Sequence, residues 1–133
     1  MRHRIEFTSP LYVTLGKKKH LLNLNTYRNL HYRVNNLCKQ EYKKIMASQM
    51  KNVKKLNKEN YPVQIHYTVY PATNRKFDVG NICCVVEKYF EDALTFYGII
   101  EDDNYDYISD VHFHIGEVCK ENPRCEIEIE WRD

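Results

Sequence analysis

Pro62-Val63-Gln64-Ile65-His66-Tyr67-Thr68-Val69-Tyr70 alternates between apolar and polar residues. Val63, Ile65, Tyr67 and Val69 fall on one face, the pattern of a half-buried strand. After a basic loop, Pro71 to Phe77, the period changes: apolar residues at 82, 83, 86, 90, 93, 94 and 97 recur at helical spacing. Asp78 stands where its side chain can accept amide protons left free in the first helical turn. Gly98 fits the left-handed stop position after the helix. An acidic turn, Glu101-Asp102-Asp103-Asn104, and a strand near 106–115 follow. The centre of the chain is thus predicted to be a strand–helix–strand unit.

Toward the C-terminus, Cys125, Ile127, Ile129 and Trp131 alternate with Glu126, Glu128 and Glu130, predicting another strand. Toward the N-terminus, apolar residues at 30, 34, 37, 38, 42, 45 and 46 predict a helix from about Leu30 to Met50. Residues 4–15 read as one or two strands broken at Ser9-Pro10. Gly16 to His20 reads as a basic turn, Leu21 to Asn29 as an Asn-rich approach segment, and 51–60 as a helix end and exposed loop. The order β-β-α-β-α-β-β predicts a small α/β domain with a mixed β-sheet and two main helices, residues 1–133 forming a single domain.

Composition excludes several functions. With 133 residues, 43% hydrophobic and 29% charged, the chain has the make-up of a globular protein. Its longest apolar run, Ile82 to Val86, is far short of a membrane span. The glycines, at 16, 80, 98 and 116, can form neither G-x-G-x-x-G nor a P-loop, so no nucleotide cofactor is expected. An odd number of cysteines (38, 83, 84, 119 and 125), no C-x-x-C and no visible secretory signal point to a reducing cytoplasm. His112 and His114, two apart, could share one face of a strand.

Charge is distributed unevenly. Residues 1–60 hold 14 Lys+Arg against 3 Asp+Glu, and residues 61–133 hold 6 against 15. One part of the molecule can therefore face a polyanion while another gathers carboxylates. Aromatic residues among the basic ones (Tyr27, Arg28, His31, Tyr32, Arg33) point toward nucleic acid.

Asp78 before the central helix and Asp102-Asp103 beyond it are oxygen ligands suited to Mg²⁺ or Mn²⁺, on the expectation that they converge at one sheet edge. Such ions activate water and stabilise the leaving oxygen in phosphodiester hydrolysis. Asn81 and Lys88 share a helix face, and Lys88 could offset phosphate charge or pair with Asp92.

The run Asp78-Val79-Gly80-Asn81, Asp92-Ala93-Leu94, Gly98 and Asp102-Asp103 resembles the RusA-like Holliday-junction resolvases of phages and prophages. The Asn-rich stretch Asn23 to Asn29 is similar to phage members. The resemblance implies an α/β fold, a homodimer, Mg²⁺ dependence and cutting of branched DNA, four-way junctions above all. Matched position by position, it implies Asp78, Asp103 and Lys88 as catalytic residues and Asp78 and Asp103 as metal ligands, with Asp102 expected as a further metal ligand beside Asp103. Asn81 takes the place of the motif asparagine. The DNA-binding residues are expected to be Lys17, Lys18, Lys19, Arg28, Arg33, Arg75, Lys76 and Asn81.

One departure stands out. The family's second carboxylate falls at Gly80, or at Cys84 when counted back from Asp92, and neither supplies an acid. Glu101, Asp102, Glu87 or a water would have to complete the shell. Two other functions therefore stand beside the nuclease: a junction-binding protein without cleavage, and an interaction protein whose acidic and basic halves dock partners.

Overall fold

A computed structural model describes residues 1–132. The chain runs β1 (Arg2–Ser9), β2 (Tyr12–Leu15), β3 (Lys18–Leu21), α1 (Leu24–Asn29), α2 (Tyr32–Met50), a 3-10 turn (Lys58–Asn60), β4 (Val63–Tyr70), α3 (Val79–Phe96), β5 (Ile108–Ile115) and β6 (Arg124–Arg132). The α/β class, the mixed sheet and the two long helices are as the sequence predicts. Four strands form one sheet in the order β1-β6-β4-β5, and β2-β3 form a separate hairpin. β4 and β5 are parallel, while β6 is antiparallel to both β1 and β4.

Three local expectations need correction. The basic turn is only Gly16-Lys17: Lys18 to Leu21 continues as a strand against Tyr12 to Leu15. Gly16, at φ 61°, supplies the left-handed conformation that a two-residue hairpin turn needs. The Asn-rich segment contains a short helix, started by the Asn23 side chain accepting from the Thr26 N–H at 2.8 Å. The polar stretch 51–60 buries Leu56, whose N–H donates to the Ile99 carbonyl at 3.0 Å.

The core lies between one sheet face and helices α2 and α3. Phe7, Ile65, Tyr67, Val69, Cys125, Ile127 and Ile129 point inward from the sheet, and Tyr42, Met46, Val86, Phe90 and Leu94 meet them from the helices. Each such aliphatic or aromatic side chain contributes about 1.5–3 kcal/mol by leaving water. Clean alternation makes this inevitable for β4 and β6, because a slip of one residue would turn every apolar side chain to water. Among the described residues no helix covers the opposite face, where Gln64, His66, Thr68, Glu126, Glu128 and Glu130 are half-buried.

The connection β4–α3–β5 places the motif. Two parallel strands need a crossover that returns the chain to the starting edge of the sheet. α3 makes that return in 18 residues, a rise of about 27 Å at 1.5 Å per residue.

Candidate functional site

Asp78 is the N-cap of α3: its Oδ1 accepts from the Gly80 N–H at 3.1 Å, as the sequence predicts. It is exposed, lies past the carboxyl end of β4, and forms no ion pair among the described residues. A methyl group on Gly80 would meet nothing closer than the Asp78 Oδ1, at 3.7 Å, so this glycine relieves no close packing.

Asp102 and Asp103 lie at the other end of α3, ahead of β5. Asp102 builds its own turn, Oδ1 accepting from the Asp103 N–H at 2.8 Å and Oδ2 from the Asn104 side-chain amide at 3.1 Å. That turn holds Asp103 outward, exposed and outside any ion pair among the described residues. Glu101 accepts from the Tyr107 hydroxyl at 3.0 Å. Asp78 and Asp103 therefore do not converge within one chain. The length of the crossover helix separates them, which corrects the expectation of a shared sheet edge.

The residues along α3 have other partners. Asn81 Oδ1 accepts the Leu24 N–H at 3.1 Å and so ties the first turn of α1 to α3. Lys88 does not pair with Asp92. Its ammonium lies 6.0 Å from the centre of the Tyr27 ring, while Asp92 pairs with Lys43 of α2 at 3.0 Å. Glu91, one turn from Glu87 and buried, accepts from the Tyr67 hydroxyl at 3.0 Å. Burial, with the Glu87 charge next, pushes its carboxyl up to about 9. Sequence periodicity alone gave Glu91 no distinction; only its burial between helix and sheet does.

Lys17, Lys18 and Lys19 stand exposed at the β2–β3 hairpin, Arg28 on α1, Arg33 on the first turn of α2, and Arg75 and Lys76 on the loop before α3. None of these cations is in an ion pair among the described residues. Lys19 lies 4.1 Å from the Tyr12 ring centre and Arg33 5.9 Å from that of Tyr32, so these two cations each stand beside an aromatic ring. The basic half of the sequence is nonetheless not one face. Arg2 and Arg4 are spent on Glu128 of the last strand, at 3.1 and 3.5 Å, and Lys43 on Asp92.

A second constellation lies on the uncovered sheet face. His66 Nε2 is 2.8 Å from Glu130 Oε1, and one ligand atom each of His66, Glu128 and Glu130 lies within 4.8 Å of the others. The His112 ring stacks on His66 at 4.5 Å with an interplanar angle of 11°, and His114 lies 5.8 Å from His66. His112 and His114 do share a strand face, as their spacing suggests. No local sequence pattern joins His66 to Glu128 and Glu130; only strand register does. A cleft of about 710 Å³ opens on this face, lined in part by Arg2, His66, His114, Glu126 and Glu128. Compared with known families and characterised proteins, the chain matches no family model and no curated protein.

Proposed function

We propose that this chain is a Mg²⁺-dependent endonuclease for branched DNA, acting as a symmetric dimer in which each active site draws on two chains. The observation that carries the reading is the pair of exposed carboxylates, Asp78 and Asp103, at the two ends of α3 and without cationic partners among the described residues. They belong to a chain whose hairpin, α1 and pre-α3 loop present exposed cations outside any ion pair among the described residues, available for phosphates. Hard oxygen donors of this kind fit Mg²⁺, and Mn²⁺ as a substitute.

About 27 Å of helix is too far for one ion to bridge. A two-fold axis crossing α3 near its midpoint would lay Asp78 of one copy beside the partner's Asp103, and do so twice. Two such sites would place paired nicks symmetrically across a four-way junction. Mg²⁺ held there would supply an activated water and charge for the leaving oxygen. Asp102 fixes the turn that presents Asp103, and Lys88, exposed beside Tyr27, offsets phosphate charge.

A complementation experiment tests this reading. Asp78→Asn and Asp103→Asn should each leave junction binding intact and abolish nicking. Mixed and allowed to exchange, the two variants should regain single nicks, since each heterodimer holds one site with both carboxylates. An inert mixture of two folded, junction-binding variants would overturn the shared site.

Gly80 and Asn81 favour a second reading, a branched-DNA-binding protein that does not cut. Gly80 offers no side chain as a ligand, and Asn81 is committed to α1. Wild-type protein that prefers a four-way junction to its linear arms, yet nicks neither with Mg²⁺ nor with Mn²⁺, would favour it.

A further inference from the structure

We infer that the uncovered face of the four-stranded sheet is a binding site for a borderline divalent cation of the Zn²⁺ or Co²⁺ type, held by His66, Glu128 and Glu130. The inference is independent of the nuclease reading, because these residues lie on the face that no helix covers, whereas Asp78 and Asp103 flank α3.

Register builds the site. His66 of the central strand β4 pairs with Glu128 on β6 and with His112 on β5, so one row across the sheet reads Glu128, His66, His112. Directly opposed residues on one face have Cβ atoms about 4.5–5.5 Å apart, and diagonal neighbours are still within reach of long side chains. Glu130 is the diagonal neighbour that closes on His66 at 2.8 Å. Strand positions inside a sheet hold ligands more rigidly than loops do.

The electrostatics already suit a cation. The Arg2 guanidinium touches both carboxylates, reaching Glu128 at 3.1 Å and contacting Glu130, and Arg4 reaches Glu128 at 3.5 Å. The side chains of Arg2 and Arg4 are 53% and 60% exposed, whereas those of Glu128, Glu130 and His66 are 24%, 17% and 25% exposed. The carboxylates and the imidazole are thus the fixed partners, and the arginines can swing into water when a metal takes their place. One imidazole with two carboxylates suits Zn²⁺, Co²⁺ or Mn²⁺ better than the all-oxygen shells that Mg²⁺ and Ca²⁺ prefer. His112, its ring stacked on His66 at 4.5 Å, stands beside the three ligands. Three protein ligands with an open position describe a site that admits water or a small anion.

Co²⁺ titrated into the reduced full-length chain, followed by visible absorption and calorimetry, tests the inference. One Co²⁺ should bind per chain without the intense near-ultraviolet bands of thiolate ligation. His66→Ala and Glu130→Gln should each weaken binding at least about tenfold, as loss of a ligand or its support does. Arg2→Ala, whose side chain is 53% exposed, should tighten binding because it removes the competing cation. Asp78→Asn and Asp103→Asn should leave it unchanged. Thiolate bands, absence of binding, unchanged or weakened affinity in Arg2→Ala, or loss of binding in Asp103→Asn would each overturn the site.

Discussion

Glu91 of α3 accepts a hydrogen bond from the Tyr67 hydroxyl of β4 at 3.0 Å, inside the packing layer between helix and sheet. Both groups are pushed away from ionisation by burial, the Tyr67 phenol well above its ordinary value and the Glu91 carboxyl up to about 9. The pair is therefore a neutral hydrogen-bonded unit near neutral pH.

This gives stability a pH dependence. Below about 4.5 the folded and unfolded chains both hold the Glu91 proton; from there to about 9 the unfolded chain releases it and the folded chain keeps it. The Glu91 contribution is thus fully present in acid and falls as pH rises through that window. Glu91→Gln keeps an acceptor for Tyr67 and carries no charge. It should stabilise the protein at pH 8 by about 1–3 kcal/mol, a gain of several degrees in melting temperature, and the gain should shrink toward pH 4.5. Thermal melts of both proteins across this range check it.

Asn81 is expected to act on stability first. Its Oδ1 satisfies the Leu24 N–H at the start of α1, an amide with no partner inside that short helix. Asn81→Ala should cost about 1–2 kcal/mol in urea unfolding, and Asn81→Asp, which keeps the acceptor, should recover most of it.

Phosphate binding through the hairpin should appear in the salt dependence. Each phosphate neutralised changes the slope of log affinity against log salt by about −0.9. Replacing Lys17, Lys18 and Lys19 by Ala should make the slope for a four-way junction shallower by up to about 2.7, without changing the melting temperature. A filter-binding series at several salt concentrations measures it, and an unchanged slope would remove the hairpin from the DNA contact.

Gly116 is expected to tolerate no side chain. A Cβ there would lie 2.6 Å from the Tyr70 ring, which Arg124 covers from 4.3 Å. Gly116→Ala should destabilise by about 1–3 kcal/mol, as overpacking does, and Gly116→Ala with Tyr70→Ala should recover part of that loss. Urea midpoints of the single and double variants check the coupling.

Local patterns made the central elements legible. β4, α3, β6 and the Asp78 cap follow from period, capping chemistry and the Gly98 stop, which depend only on neighbouring residues. Lys18 to Leu21 hid its strand because a run of lysines carries no alternation, and its pairing comes from a hairpin turn set by Gly16. α1 hid because it is a single short amphipathic stretch whose cap, Asn23, sits among other asparagines.

The residues by themselves determined which chemistry the chain holds: carboxylates around α3, exposed cations toward the N-terminus, and histidines and glutamates at alternate strand positions. Which of them meet was decided only by the tertiary structure. A parallel crossover spends the length of α3 returning to the first edge of the sheet, so Asp78 and Asp103, close in the motif, end far apart. Strand register does the reverse, bringing His66 to Glu128 and Glu130 across more than sixty positions of sequence. Periodicity assigns a residue to a face. Proximity between faces and ends belongs to the topology, which no local pattern contains.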